Sequence, residues 1–455
     1  MPRYAECLPE RCDVMRCSPV LRVFYLFLTA FIAPSLAATE ATPATHIALG
    51  DSVAPLNGPW RFHVGDDPRW SLPTYDDGAW ETVDLTPAPG SHDGDVGLPG
   101  YVTGWSQRGH AHYTGYAWYR LDVTVENAGG KPLALAGPTL LDSTYELFVN
   151  GTRVGGPGDF AGKTPSVYSV RPVVFAMPSS VTAGVRTYHL AFRVWMDPID
   201  AGDESGGIHV APMLGDTESI ERLHQVQWLQ TFKGYVVDAA EPVAFVLLAI
   251  MLTALIKSRD HPTHAWLAIA LILLALLRVN QVLFYWTPYW SLRNYDIAVT
   301  VLLRPLVLAS WVLAWRDWFG LTRHPWLHNA VTVLTTAYVV SACLGRPWVN
   351  TAHGVVVATD VLVAGARIAL AALYLWVIGQ GVARSMKWPD YVAAFAAVLV
   401  GIGLFATEVN ALGVPGIWFP YGTGVARGQD AYAAFIPLMF ALILWRLSRY
   451  ARRDD

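Results

Sequence analysis

Between residues 97 and 115 the chain reads GLPGYVTGWSQRGHAHYTG, which sets Tyr101, Trp105 and Tyr113 in a glycine-rich, loop-like stretch. Binding side chains gather on loops held by a rigid scaffold, and flat aromatic faces there can stack on a ring-shaped ligand. Trp105 reads equally well as a core residue. His110 and His112 share a strand face in the same stretch but lack a third metal-ligating partner, so they read as solvent-facing polar residues, and no metal or other cofactor is expected. A second set of chemically capable residues lies further on. Glu241, Arg278, Arg304, Asp360, Arg367 and Glu408 each interrupt a long apolar run. A charge in hydrocarbon is costly unless it is paired or wet, so three acids and three bases point to a buried ionic network. That network serves either as packing glue between helices or as a ligand pocket or switch. Asp360 and Arg367 are seven residues apart, hence on one helical face.

These residues need two kinds of scaffold. The 455-residue chain is 53% hydrophobic and only 15% charged, with a mean hydropathy of +0.32, which is the composition of a membrane protein. The apolar excess is uneven: residues 40 to 230 carry turn residues and mixed charge, while 235 to 446 form a succession of long apolar runs. A net charge of −4 gives no sign of nucleic-acid binding. Residues 1–37, with Arg11, Arg16 and Arg22 ahead of VFYLFLTAFIAPSLA, are laid out as a secretory signal peptide cleaved after Ala37, against the rival reading of a retained anchor. Cys7, Cys12 and Cys17 fall in that leader, and only Cys343 follows it. A domain without cysteine must be stabilised by core burial, which residues 45–215 are numerous enough to supply.

Within that domain YAWYRLDVTVE alternates, with Tyr119, Leu121, Val123 and Val125 on one face and Arg120, Asp122 and Thr124 on the other. YELFVNGTRVGG reads as a hairpin, because Asn150-Gly151 can adopt the positive φ angles of a tight turn. YHLAFRVW supplies a further strand. Short strands punctuated by Gly, Pro and Asp predict an antiparallel β-sandwich, with Trp60, Trp80 and Trp118 as core. Residues 216–234 predict a linker helix. Seven spans follow within 235–447, near 235–256, 264–286, 296–315, 328–345, 353–379, 389–411 and 431–447, most of them close to the ~20 residues needed to cross a bilayer. Residues 448–455 form a short basic tail. Basic residues fall ten to three in favour of the side holding Lys257, Arg316, Arg384 and Arg446, which predicts an exported N-terminal domain and a cytoplasmic C-terminus.

Two resemblances refine this. The co-linear elements Trp60 to Trp70, Asp76 to Trp80, Gly115 to Arg120 and Val149 to Gly155 resemble the sugar-binding jelly-roll domain of family-2 glycoside hydrolases, with its galactose-binding-like fold. That resemblance implies carbohydrate binding without hydrolysis. The catalytic carboxylates of that family stand on a separate barrel, about 5 Å apart in retaining enzymes, and no barrel-sized segment remains in this chain. The layout as a whole is similar to bacterial seven-transmembrane receptors with diverse intracellular signalling modules. It implies a plasma-membrane sensor that binds a carbohydrate or related small ligand outside and signals through seven helices. No output domain or nucleotide-binding motif follows the last apolar run, so the resemblance implies a cytoplasmic signalling enzyme acting in trans, or a module missing from the chain. The expected partners are thus the lipid bilayer, that ligand, that enzyme and a second copy of the chain. A transporter or channel, or a membrane-tethered glycan-binding protein, are the competing readings.

Overall fold

The computed structural model describes residues 53–454 except 94–97, 128–129, 179–183, 203, 257–263, 351, 385–386 and 412–426. The expected leader with its cleavage after Ala37 lies outside the described residues, as do Lys257 and Arg259 of the first basic loop. Among the described residues, ten strands form two antiparallel sheets. β1 (Val53–Pro55), β10 (Met213–Asp216), β5 (Leu133–Ala136) and β8 (Val174–Ala176) make a four-stranded sheet in that order. β3 (Glu81–Val83), β2 (Trp60–Val64), β4 (Gly115–Asn127), β9 (Gly184–Met196), β6 (Thr144–Val149) and β7 (Thr152–Gly155) make a six-stranded one.

The spine of the larger sheet is β4 against β9, in unbroken register from Gly115↔Met196 to Asn127↔Gly184. Its alternation follows the sequence: Tyr119, Val123 and Val125 are buried while Asp122 and Thr124 are exposed. Buried side chains of both sheets, among them Phe62, Tyr119 and Phe192 from one and Leu135 and Leu214 from the other, share one core. The expected hairpin is present, with Asn150 at φ 52° and Gly151 at φ 81°.

Arg120 departs from the simple two-face pattern. It lies on the polar face yet is buried, because the segment before β3 folds over that face. Its guanidinium donates to Asp77 Oδ2 at 2.6 Å and to the carbonyls of Tyr75 and Leu72. Trp80 and Trp118 pack there with Trp70 and Phe148, so the larger sheet has a second small core on its outer face. Trp60, by contrast, belongs to the core between the sheets.

Asp216 accepts from the backbone N–H of Ser219 and so caps α1, which runs without interruption from Thr217 to Ile256. The expected linker helix and first span are therefore one 40-residue rod. Its first turns lie on the four-stranded sheet, where Ile220 is buried against Ala134 and Ala136. There follow α2 (Ala265–Trp286), α3 (Leu292–Trp318), α4 (Pro325–Leu344), α5 (His353–Arg384), α6 (Trp388–Leu404), α7 (Ala406–Ala411) and α8 (Arg427–Asp454). Residues Ile297–Leu303 of α3 take the wider π-helical form, a local device that often marks functional sites.

Six of these helices are long and apolar enough to cross a membrane: α1 to α5 and α8. The region expected as a sixth span of seven contains α6, a shorter apolar helix of 17 residues, followed by α7. The helices share an extensive apolar core that includes Trp311, Trp315, Tyr338, Tyr374 and Phe435.

Candidate functional site

β9 ends at Met196 and β10 begins at Met213, and residues 204–209 of the connection are hydrogen-bonded to Val102, Gly104, Trp105 and Asp142. Ser143 holds its start, accepting from the Asp197 N–H at 2.9 Å and donating to Asp200 Oδ2 at 2.6 Å. Burial pushes the Asp200 carboxyl up to about 7 despite that hydrogen bond. Beside the loop opens a cleft of about 310 Å³ lined by Asp93, Tyr101, Leu140, Asp142, Gly202, Glu204, Ser205 and His209.

His209 organises this cleft. Its Nδ1 faces the Val102 carbonyl at 2.8 Å and its Nε2 faces Asp142 Oδ2 at 2.9 Å. A carbonyl and a carboxylate only accept, so both contacts are satisfied together when both ring nitrogens donate. Burial opposes the resulting charge, but the Asp142 hydrogen bond and charge outweigh it and raise the His209 pKa. Tyr101 stacks on the imidazole at 4.9 Å with 4° between the planes. Its phenol is pushed up to about 12 by burial and by the carboxylates of Asp142, Glu204 and Asp93. The cleft thus offers carboxylate acceptors beside a fixed aromatic ring, while His209 already has its own partners.

The three aromatics of the glycine-rich stretch have separate places. Tyr101 lines the cleft. Trp105 is 1% exposed and lies beneath it, with its backbone N–H donating to the Gly206 carbonyl and its indole donating to the Tyr113 carbonyl. A Cβ on Gly206 would stand 2.3 Å from that indole, so the loop rests directly on Trp105. Tyr113 packs on Trp105 and donates its hydroxyl to the Tyr116 carbonyl. Sequence reasoning missed Asp142, Glu204 and His209. The His209 spacing carries no motif, and only the fold brings residues 93, 142 and 209 together. Among the described residues no group of three His, Cys, Asp or Glu side chains is placed to hold a metal.

The same loop reaches the helices. Ile199 joins Val167, Tyr116, Phe160 and Trp195 of the sandwich in a cluster with Phe284 of α2 and Trp290, Leu292 and Tyr295 at the start of α3. Phe284 stacks on Tyr295 at 4.5 Å, and Asn280 of α2 donates to the Tyr295 carbonyl and accepts from the Trp290 indole.

Inside the bundle the six expected charges do not form one network. Arg278 contacts Glu241 at 2.6 Å and Asp238 at 3.0 Å, and Gln429 of α8 donates to Asp238. Arg367 pairs with Glu408 at 2.8 Å. Arg304 is the charge that acts on the hydroxyls of Tyr338, Tyr295 and Tyr432. Asp360 is exposed, and the cation acting on it is Arg346 rather than Arg367. Arg346 itself bonds Asp296 at 2.9 Å. Asp238, Asp296 and Gln429 were not singled out in the sequence, although Asp238 stands one helical turn before Glu241 and so shares its face.

Fold and sites together describe a β-sandwich fixed to a multi-helix apolar bundle of membrane-spanning composition. No protein-family model matches the chain, and no curated protein matches it. Among solved structures the chain is similar to a Bacteroides uniformis β-glucuronidase, at 20% identity over 36% of this chain and 17% of that one, with a TM-score of 0.26. It is similar also to a glycosyl hydrolase family 2 member from Bacteroides cellulosilyticus, at 18% identity over 36% of this chain and 20% of that one, TM-score 0.24. A third is a Ruminococcus gnavus β-glucuronidase, at 10% identity over 36% of this chain and 28% of that one, TM-score 0.24. The chain spans less than a third of each, and at these scores the likeness carries no argument about the site.

Proposed function

We propose that this chain is a membrane sensor whose β-sandwich binds a carbohydrate or related small polar ligand in the Tyr101 cleft and passes the bound state to its helices. One observation carries the reading: the loop from Asp197 to His209 both walls the cleft and places Ile199 in the cluster shared with Phe284 and Leu292. A ligand that reorders this loop acts on the bundle without an intermediary.

The lining narrows the ligand class. Carboxylates at Asp93, Asp142 and Glu204 accept hydrogen bonds from sugar hydroxyls, and Tyr101 supplies a flat face. A uronic acid would bring its own carboxylate against those of Asp93 and Glu204, with Asp142 paired to the His209 ring, so neutral or amino sugars fit better. The function is binding rather than cleavage. With the shorter α6 counted as a seventh crossing, the basic-residue bias supports a bacterial plasma-membrane protein with the sandwich exported and the C-terminus cytoplasmic. The output in this reading is a cytoplasmic signalling enzyme engaged in trans.

The test uses the full chain in lipid nanodiscs, titrated with a panel of neutral, amino and uronic sugars by calorimetry. Hydrogen exchange is then followed over residues 284–296. Binding that is weakened in Tyr101→Ala, with altered exchange at the α2–α3 joint in the unmodified chain, supports the sensor. Binding with no change at the joint would leave a tethered glycan-binding protein. Uptake of the sugar by proteoliposomes would favour a transporter, and release of product from aryl glycosides would make the chain an enzyme.

A further inference from the structure

The cluster of Asp238, Glu241 and Arg278 holds two carboxyls against one guanidinium. All three residues are buried, at 6%, 3% and 8% exposure. Arg278 reaches both acids, and it also donates to Gln281 on its own helix. Further out, Asp430 of α8 acts on Glu241, Arg304 of α3 acts on Tyr432 and Tyr295, Asp296 acts on Tyr295, and Arg171 of the sandwich acts on Tyr235. Tyr432 of α8, buried with its ring beneath the Arg278 guanidinium, and Tyr295 of α3, half-buried, stand beside the cluster. Counted by its own ionised side chains, two carboxylates and one guanidinium, the cluster is one positive charge short of neutral.

Two oxygen atoms point to what supplies that charge. Glu241 Oε1 is fully buried and has no hydrogen-bond partner among the described residues. A buried carboxylate oxygen in that condition is expensive. The second oxygen comes from the backbone. Residue 242 is a proline inside α1, so it has no N–H to give to the carbonyl four residues earlier, which is that of Asp238. An acidic pair and a freed main-chain carbonyl thus occupy the same turn of the same helix. Unwound helix carbonyls coordinate small cations within membranes; in α1 the helix continues, and the carbonyl loses its donor to the proline alone.

Access is short. Trp228, Tyr235 and Trp286 form an aromatic group near the sandwich end of α1 and α2, and Tyr235 donates its hydroxyl to the Tyr285 carbonyl. Aromatic side chains of this kind mark the membrane–water boundary. Asp238 and Glu241 lie three and six residues beyond Tyr235, hence about 4.5 and 9 Å deeper along the rod.

We infer that Asp238, Glu241 and the Asp238 carbonyl form a binding site for one small monovalent cation, a proton or Na⁺, entered from the sandwich side. Bound, the cation neutralises the cluster. Released, it leaves the pair of acids to Arg278 alone, with Gln429 tying α8 to the same carboxylate. Occupancy therefore sets how tightly α1, α2 and α8 are held together, and this is independent of what the sandwich binds.

The experiment uses the full chain in nanodiscs and measures its melting temperature in NaCl and in equimolar choline chloride, together with the infrared band of protonated carboxylic acids. A sodium-dependent melting temperature that becomes sodium-independent in Glu241→Gln identifies Na⁺. A protonated-acid band that diminishes in Glu241→Gln, without sodium dependence, identifies the proton. Asp238→Asn serves as the second variant if Glu241→Gln does not fold. Absence of both signals in the unmodified protein overturns the inference, as does a signal that persists at full size in both variants.

Discussion

The backbone N–H of Leu292 donates to the carbonyl of Val167 at 2.9 Å, so the first residue of a bundle helix is hydrogen-bonded to a loop of the sandwich. Around this bond Trp195 and Phe284 exclude water. The joint is thus part of the fold on both sides and not a passing contact between two bodies.

Truncating Phe284 opens a cavity in that joint. Phe284→Ala is expected to cost about 3 kcal/mol, to raise hydrogen exchange at 284–296, and to shift ligand affinity at the cleft by the coupling between cleft and joint. Exchange–mass spectrometry beside a calorimetric titration separates the two. An unchanged affinity beside raised exchange would show that the cleft and the joint are not coupled.

Tyr101 and Trp105 are expected to differ in kind. Tyr101→Ala removes a stacking face and should weaken sugar binding about tenfold, the equivalent of about 1.4 kcal/mol, with little change in melting temperature. Trp105→Ala removes the floor beneath the 204–207 loop and should destabilise the sandwich by about 3 kcal/mol or more. Melting curves and titrations of both variants check this.

The end of the sandwich titrates. Asp200 is pushed from 3.8 up to about 7 by burial, so its folded form holds a proton that the unfolded chain releases. Its contribution to stability is greatest below about pH 4 and declines until about pH 7. His209, raised by Asp142 against its burial, contributes fully below the ordinary histidine value and loses that contribution as pH rises through the folded value. Both groups make the sandwich less stable with rising pH. Asp200→Asn should flatten the slope between about pH 4 and 7, and His209→Gln the slope above it. Denaturant melts across that range give the answer, and an unchanged slope in both variants would contradict it.

Because α1 has no break near Gly234, an insertion cannot be absorbed there. One alanine added after Gln230 turns everything beyond it by about 100°. It should uncouple ligand binding from exchange changes at the joint, or abolish folding. Seven added residues nearly restore the facing and should be better tolerated, though they lengthen the rod.

Much of the sandwich was legible because its signals are local. Alternation in β4, the Asn150-Gly151 turn and the three tryptophans each follow from a few neighbouring residues. Arg120 was assigned to the polar face correctly, but its burial depends on Asp77 and two carbonyls some forty residues away. The cleft was half legible for the same reason: Tyr101 stands in a recognisable loop, whereas His209 acquires its role only from Asp142 and Val102. In the bundle, opposite charges were countable, yet pairing depends on helix neighbours. Arg367 meets Glu408 across helices, not Asp360 along its own.

The roof that Ile220 and Leu223 form over Ala134 and Ala136 decides where the sandwich can be cut. A fragment ending at Asp216 would leave that apolar face of the smaller sheet bare and would also lose Ser219, the donor to its capping carboxylate. Soluble expression is therefore expected only from fragments that run past His224, whose ring contacts the Pro172 carbonyl at 3.3 Å. They should end before the apolar Val226, Leu229 and Phe232, all of them exposed, become a liability for aggregation.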